Sequence, residues 1–224
     1  MTQAVAFIYF PAEANMKKSY QIPGSNIRTE IIIKKSRFIC DLIQAQNREE
    51  AKKFIARIKE EFPDARHHCF AFIAGPPDTG DMGMSDDGEP QGTAGKPMLQ
   101  VLQGSGLGDV AVVVTRYFGG ILLGTGGLLR AYSGAVQQAL EEVPVVMKVP
   151  MTRVITEIEY SQEGLLRRML DDFRAEITDQ TFGNKVSFTL LMPSNEVENF
   201  VAALTEKTNG GAETLIDDEE IWSS

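Results

Sequence analysis

Three acidic residues, Asp86, Asp87 and Glu89, stand close together in a stretch rich in glycine and proline. Their carboxylate oxygens are ligands of the kind that Mg²⁺ prefers in proteins. The same groups could instead form ion pairs with Arg116 or Lys96 and fix the loop onto a neighbouring strand. Because no further set of metal ligands accompanies them, ion pairing is the preferred interpretation and no metal site is predicted.

A glycine-rich turn at residues 119–127 is the second candidate site. The continuous apolar residues at 110–117 predict a buried strand before it, and residues 126–142 have the periodicity of a helix. Unpaired N–H groups and the positive end of the helix dipole favour an anion at such a position. Tight packing of the turn is the alternative interpretation. As a site for a phosphate or carboxylate it would comprise Arg116, Gly119, Gly120, Gly124, Thr125, Gly126, Gly127 and Arg130, together with Lys96.

The run GTAGK at residues 92–96 resembles part of a nucleotide-binding P-loop. The position five residues before Gly95 is Pro90 rather than glycine, and Pro97 stands where Ser or Thr would hold Mg²⁺. The sequence therefore argues against ATP or GTP hydrolysis by this route. The glycines at 104–108 follow a predicted helix and precede a strand, which is the reverse of the order in a dinucleotide-binding turn.

The histidines and cysteines do not form a recognisable catalytic or metal-binding pattern. His67 and His68 are neighbours on a predicted strand and face opposite sides of it, with Cys69 on the side of His67. A Cys–His pair on one strand would lack an orienting partner, and a zinc site would need more ligands. No catalytic residue and no cofactor is therefore predicted. Isolated Cys40 and Cys69 favour a reducing, cytoplasmic compartment.

Charge is spread unevenly along a chain whose net charge is −9. Residues 145–224 carry 7 basic and 15 acidic side chains, an excess that would repel a phosphate backbone. Residues 28–66 are locally basic, with 10 basic against 7 acidic side chains. Lys34, Lys35 and Arg37 are therefore the candidate nucleic-acid contacts, and a solvated face of mixed charge is the alternative.

Hydrophobic patterning predicts a first α+β domain and a second one built as βαββαβ. A hairpin at residues 27–43 is followed by a helix that begins at Asn47, where Glu50 completes a capping box. A strand at 66–74, a long loop at 75–95 and a short helix at 98–103 come next. Residues 144–150 are bounded by prolines and predict a linker. Beyond it, the order of strands and helices is that of a ferredoxin-like domain.

The ordered motifs of this chain resemble those of the IMPACT family, in its bacterial YigZ-like branch. The motifs are DDGEP at 86–90, GTAG at 92–95, VTRYFGG at 114–120, LGTGGL at 123–128 and RAY at 130–132. The segments KSRF at 35–38 and ARH at 65–67 agree as well. The signature loop then comprises Asp86, Asp87, Glu89 and Thr93, and His67 is the candidate functional histidine.

The resemblance implies an α+β protein of two domains that is linked to translation control. The first would be an α/β sandwich similar to domains of a small-subunit ribosomal protein and of elongation factor G. The second would resemble the last, ferredoxin-like domain of elongation factor G. The expected boundaries are an N-terminal extension at 1–21, the first domain at 22–144 and the second domain at 150–224. Within the extension, residues 1–15 are either an addition to the family's domain or the result of an incorrectly assigned start codon.

Two functions are compatible with these observations. The first is a non-enzymatic, translation-associated regulator that binds RNA, the ribosome or a translation protein. The second is an enzyme or sensor that binds a phosphorylated small molecule at the glycine-rich turn. The sequence shows no assembled catalytic constellation, which favours the first. No apolar run approaches the roughly 20 residues that span a bilayer, so no membrane partner is expected.

Overall fold

A computed structural model describes residues 18–78 and 80–223, without the side chains of residues 218–220. The predicted N-terminal extension therefore lies outside the described residues as far as Lys17. The chain forms two compact units, and the boundary between them lies after Met147. No helix among the described residues is long and apolar enough to cross a membrane.

The described residues of the first domain form six strands and three helices. In chain order they are β1 (Tyr20–Pro23), β2 (Ile27–Ile33), β3 (Ser36–Gln44), α1 (Arg48–Glu61), β4 (His67–Ala74), β5 (Asp81–Ser85), α2 (Gly95–Ser105), β6 (Val110–Tyr117) and α3 (Thr125–Glu142). Five of these strands form a sheet in the order β2-β3-β6-β4-β5, and all neighbours are antiparallel. The central strand is β6, which is buried along nearly its whole length, as its continuous apolar residues predict.

Helices cover both faces of this sheet. Helices α2 and α3 pack on one face, where Phe38, Cys40 and Val112 belong to the larger core cluster. Helix α1 packs on the other face against Phe72 and Val113. Asn47 is the predicted N-cap of α1, because its side chain accepts the Glu50 N–H at 2.9 Å. The reciprocal half of the predicted capping box is not formed, since the Glu50 carboxylate accepts the N–H of Gln46 at 2.8 Å and not that of Asn47.

Strand β5 corrects the sequence prediction, which assigned residues 75–95 to a single loop. This edge strand pairs with β4 and places Met82 against the core. A Cβ built on Gly83 would lie 2.3 Å from Cε1 of Phe72, so only glycine lets this ring lie against the strand. Glycine is rare in strands, so Gly83 lowers the β-propensity of this segment, and the sequence did not predict β5.

The second domain has the predicted βαββαβ order. Its elements are β7 (Val145–Ile158), α4 (Glu163–Asp172), β8 (Glu176–Phe182), β9 (Val186–Pro193), α5 (Val197–Lys207) and β10 (Glu213–Ser223). The first three residues of β7 precede the boundary after Met147. The antiparallel order β10-β7-β9-β8 is that of a ferredoxin-like sheet. Its core contains Phe188 from β9 and Phe200 from α5.

Two segments of this second domain differ from the sequence prediction. Strand β7 already begins at Val145, inside the predicted linker, because Val145 and Val146 favour extended backbone. The acidic composition of residues 217–220 predicts a solvated tail. They belong instead to β10, where Asp217 pairs with Arg153 at 2.9 Å.

Candidate functional site at one end of the first-domain sheet

Strand register brings the candidate residues to one end of the first-domain sheet. The strand pairs Arg37–Tyr117 and His67–Arg116 place the starts of β3 and β4 beside the end of β6. Strand β5 ends here too, because Ser85 pairs with Phe70. Helices α2 and α3 follow β5 and β6, so they also begin at this end. We call this region the signature end; it comprises residues 34–37, 67–69, 85–96 and 116–132.

A buried ion pair lies beneath the surface of the signature end. Nη1 of Arg116 donates to Oε1 of Glu89 at 2.6 Å, and the two side chains are only 8% and 4% exposed. The hydroxyl of Tyr132 donates to the same oxygen at 2.8 Å. Of the three acidic candidates, Glu89 is therefore the one that neutralises Arg116, and it joins the signature loop to β6 and α3.

Aromatic rings surround the Arg116 guanidinium. Its Cζ lies 5.5 Å from the centre of the buried Phe38 ring and 5.7 Å from that of Phe118. Phe38 in turn makes an edge-to-face contact with Tyr132, with 5.3 Å between the ring centres. Within the described residues, Nε of Arg116 is buried without a hydrogen-bond partner. The charge is thus held by one carboxylate and by the faces of aromatic rings.

Asp86 occupies the N-terminus of α2. Its carboxylate accepts the backbone N–H groups of Gly92, Ala94 and Gly95 at 2.8, 3.0 and 2.9 Å. Burial by itself would raise the pKa of Asp86, but these three hydrogen bonds outweigh it and hold the pKa below its usual value. The GTAG run therefore binds an anion that the chain itself supplies, which explains its likeness to a phosphate-binding loop.

Replacing Asp86 by alanine is expected to destabilise the first domain by about 2 kcal/mol at neutral pH, because three N–H groups lose a charged acceptor. A carboxyl whose folded pKa is depressed contributes stability above its unfolded pKa of about 4, and this contribution is lost as the pH falls through the folded value. Urea unfolding of wild type and Asp86→Ala at pH 7 and pH 3 should therefore show a smaller difference at pH 3. An equal difference at both pH values would contradict the role of the charge.

Asp87 fastens the loop to α1 and β4. Its Oδ1 accepts a hydrogen bond from Nζ of Lys59 at 2.7 Å, and its Oδ2 accepts the backbone N–H of His68 at 2.7 Å. Burial opposes ionisation, but Lys59 and the His68 N–H together lower the pKa of Asp87. The sequence predicted Arg116 or Lys96 as partners of the acidic cluster, whereas Lys59 comes from a helix far earlier in the chain.

The histidines and Cys69 make contacts with backbone carbonyl groups. Nδ1 of His67 lies 2.9 Å from the Asp87 carbonyl oxygen, and Nε2 of His68 lies 3.0 Å from that of Phe62. The Cys69 thiol donates to the Asp86 carbonyl oxygen at 3.0 Å, and burial raises the pKa of Cys69 to about 12. A thiol with such a pKa stays protonated and is a poor nucleophile at neutral pH.

The glycine-rich turn is closely packed at Gly119, where it begins, and is exposed to solvent around Thr125 and Gly126. A Cβ on Gly119 would lie 2.0 Å from the carbonyl carbon of Lys35, and the Gly119 N–H donates to Oγ of Ser36 at 3.1 Å. Gly124 is the N-cap of α3, with φ +71°, and no described side chain caps the helix. Thr125, Gly126, Arg130 and Lys96 are exposed, whereas Arg116 is buried in its ion pair. An anion site at this turn stays a prediction.

The two lysines of the β2–β3 hairpin have an unusual backbone conformation. Lys34 and Lys35 form a two-residue turn between the paired residues Ile33 and Ser36, with φ of 46° and 65°. Both side chains are exposed, and neither forms an ion pair with a described residue. The third basic candidate, Arg37, pairs with Glu30 at 2.8 Å. Of the three basic candidates, Lys34 and Lys35 are therefore the ones that can bind a ligand without breaking an ion pair with a described residue.

Sequence reasoning overlooked Tyr132, Phe38 and Phe118 as parts of the site. Tyr132 of α3 is fully buried. A buried tyrosine hydroxyl needs a hydrogen-bond partner, and this was the one signal that could have pointed to a buried carboxylate. Among the described residues, no three or more His, Cys, Asp or Glu side chains are grouped so that they could hold a metal ion.

These features define a class of two-domain α+β protein, in which a mixed three-layer domain with a glycine-rich signature precedes a ferredoxin-like domain. The family described as Impact N-terminal domain matches residues 34–140, and the domain of unknown function DUF1949 matches residues 156–210. The first match spans the turn at Lys34, the signature loop and Tyr132. All the contacts of the signature end thus lie inside one recognised domain.

Comparison with whole proteins gives the particular family. An "IMPACT family member" of Haemophilus influenzae is 47% identical over 192 residues, which cover 85% of this chain and 93% of the relative. "IMPACT family member YigZ" of Escherichia coli is 42% identical over 203 residues, covering 90% and 100%. A structure described as "Crystal structure of an hypothetical protein" is 42% identical, with a TM-score of 0.63, and covers 91% of this chain and 100% of its own. The chain belongs to the IMPACT family.

Proposed function

We propose that this protein is a translation-associated regulator that performs no reaction of its own and binds RNA of the ribosome through the signature end. The observation that carries the proposal is the turn at Lys34 and Lys35, which presents two positive charges without an ion-pair partner among the described residues, on a strained backbone. Membership of the IMPACT family adds support, because resemblance to that family implies a link to translation control.

The strain of this turn indicates that the lysines serve a purpose other than folding. Two-residue hairpin turns with positive φ at both positions strongly prefer Asn-Gly. A lysine held in the left-handed region costs roughly 1–2 kcal/mol per residue, because its Cβ crowds the following carbonyl oxygen. Residues in such conformations concentrate at functional sites, where the surrounding structure holds them. Here Gly119 and Ser36 hold the turn against the end of β6.

The charges around the turn favour a phosphate backbone as the ligand. Lys34, Lys35, Lys96 and Arg130 are exposed and form no ion pair with any described residue. The acidic residues of the same end are engaged, since Asp86 binds backbone N–H groups, Asp87 binds Lys59 and Glu89 binds Arg116. Unpaired positive charge therefore remains at the signature end of a protein whose net charge is −9. Neutralisation of phosphates by such side chains dominates nucleic-acid affinity.

The double variant Lys34→Asn/Lys35→Gly is expected to be more stable than wild type by about 1–2 kcal/mol, because the new residues suit the turn. It should nevertheless bind ribosomes and ribosomal RNA more weakly. Loss of two contacts to single-stranded RNA would lower the slope of log K against log[salt] by about 1.4, at about 0.7 per phosphate. Co-sedimentation with ribosomes and filter binding at graded salt measure both effects.

A matched control removes two positive charges from the second domain. Arg168→Gln/Lys207→Gln changes two exposed residues and lowers the net charge by the same amount. This control should leave affinity and salt slope close to those of wild type. Unchanged affinity of the Lys34→Asn/Lys35→Gly variant would contradict the proposal. Absence of ribosome binding at every salt concentration, with a phosphorylated small molecule co-purifying, would favour a small-molecule sensor instead.

A further inference from the structure

We infer that Phe118 is a stacking platform for an unpaired base, so that the RNA bound at the signature end is single-stranded or looped rather than duplex. This inference rests on the proposed function and names its substrate class. Phe118 follows the last residue of β6, and this residue is 55% exposed. A single exposed apolar residue is common on protein surfaces, but Phe118 is accompanied by the exposed Ile121 and Leu122 in the same loop, and exposed apolar residues that occur together mark contact surfaces.

The buried Arg116 side chain packs against the Phe118 ring and restricts its position. The Arg116 guanidinium lies 5.7 Å from the ring centre and is itself held by Glu89 at 2.6 Å. Glu89 is held in turn by the Tyr132 hydroxyl at 2.8 Å. An exposed ring that is tied to a buried ion pair loses little side-chain freedom when a ligand binds. Such preorganisation lowers the entropic cost of binding.

The ring and the two unpaired lysines lie on neighbouring pieces of backbone. Gly119, which follows Phe118, packs so closely on Lys35 that a Cβ would come within 2.0 Å of the Lys35 carbonyl carbon. The Gly119 N–H also donates to Oγ of Ser36 at 3.1 Å. The packing therefore places an aromatic residue directly before the glycine that contacts the turn, and this turn carries two ammonium groups that have no ion-pair partner in the described part of the chain.

Aromatic faces beside positive charge are the elements with which proteins bind single-stranded nucleic acid. Bases stack on the rings while the cations contact the backbone phosphates. In a duplex the base faces are covered by their neighbours, and an A-form helix offers side chains mainly its backbone and shallow groove. A ring at this position can therefore contribute to affinity only if the base beside it is unstacked.

The exposed aliphatic residues of the same loop could instead contact a protein, and this alternative can be tested. Ile121 and Leu122 are 43% and 83% exposed, and a protein partner with an apolar pocket would engage them. Stacking on a base requires the ring of Phe118 and does not require Leu122. The four unpaired cations favour the phosphate-bearing ligand, and substitution at Leu122 separates the two.

The experiment compares Phe118→Leu with Leu122→Ser, using an unstructured RNA and a blunt duplex RNA of the same length. Leucine keeps the apolar bulk and removes the π-face. Wild type should bind the single strand more tightly than the duplex. Phe118→Leu should weaken the single strand roughly tenfold, since stacking is worth about 1–3 kcal/mol per base, and leave the duplex and the salt slope unchanged.

The outcomes separate this inference from the proposed function. If Phe118→Leu binds both RNAs like wild type while Lys34→Asn/Lys35→Gly binds both more weakly, the platform is wrong and the RNA-binding function stands. If wild type binds neither RNA and no ribosome, both fail. If Phe118→Leu and Leu122→Ser lower ribosome association equally and leave free RNA unaffected, the loop contacts a protein and the platform is overturned. Amide NMR spectra like those of wild type establish that each variant is folded.

Discussion

Replacing Glu89 by glutamine is expected to destabilise the first domain by about 3–5 kcal/mol, because the buried Arg116 guanidinium loses its only carboxylate partner among the described residues. The Oε1 atom that remains can still accept the Tyr132 hydroxyl, so the loss reports mainly on the unpaired charge. Unfolding in urea, followed through the amide NMR signals of β6, measures this loss domain by domain. Tryptophan fluorescence would report on the wrong domain, since the only tryptophan is Trp222 in β10.

A second substitution tests whether the unpaired charge causes the loss. Glu89→Gln/Arg116→Met removes both charges and keeps an acceptor for Tyr132, so it should be more stable than Glu89→Gln alone. Glu60→Gln removes a carboxylate from the exposed face of α1 and should change stability by no more than about 0.5 kcal/mol. If Glu89→Gln itself falls within that range, the buried ion pair does not hold the signature loop.

Replacing Gly119 by alanine is expected to cost about 3 kcal/mol or more, which is at the upper end of the range for overpacking. The new Cβ would lie 2.0 Å from the Lys35 carbonyl carbon, 2.1 Å from its oxygen and 2.3 Å from the Ser36 nitrogen. All three are backbone atoms, so no side-chain rotation relieves the overlap and the hairpin must move away from β6. Thermal unfolding of the variant should show the loss directly.

Two other glycines of the turn provide matched controls for this substitution. A Cβ on Gly120 meets nothing within 4 Å, but its φ of +84° makes alanine strained, at a cost of roughly 1 kcal/mol. A Cβ on Gly126 lies 4.0 Å from Nη1 of Arg130, in the first turn of α3, where alanine is accepted without loss. The expected order of destabilisation is therefore Gly119, then Gly120, then Gly126. Equal effects at Gly119 and Gly126 would contradict the close approach to Lys35.

Local patterns in the sequence were sufficient to predict most of the fold. Continuous apolar residues identified β6 as the buried strand, Asn47 marked the start of α1 as its N-cap, and alternating patterns gave the βαββαβ order. Strand β5 was missed because Gly83 weakens its pattern, and its pairing depends on the Phe72 ring from another strand. A strand that is stabilised mainly by contacts with another strand is therefore difficult to predict from its own residues.

The candidate site was predictable in its composition but not in its contacts. Which of the three acidic residues meets Arg116 depends on the path of the loop. That path turns at Asp87 and Gly88, which have φ of 42° and 86°. Gly119 and Lys35 are far apart in the chain, and the periodicity of local sequence does not predict a contact between such residues. Asp86 was a candidate metal ligand or ion-pair partner from its position in the sequence, but its carboxylate accepts three backbone N–H groups instead.

The central place of β6 has a consequence for the order in which the domain can form during synthesis. The hairpins β2–β3 and β4–β5 leave the ribosome before β6, and in the described sheet β6 is the strand that joins them. Until residues 110–117 emerge, β3 and β4 each have an unpaired edge of the kind that associates with other chains. Glu89 likewise gains its two partners only when Arg116 and then Tyr132 have been added. A nascent chain that stops before α3 therefore lacks the buried network, and the surface that holds Phe118 and the lysines in place belongs to the completed domain alone.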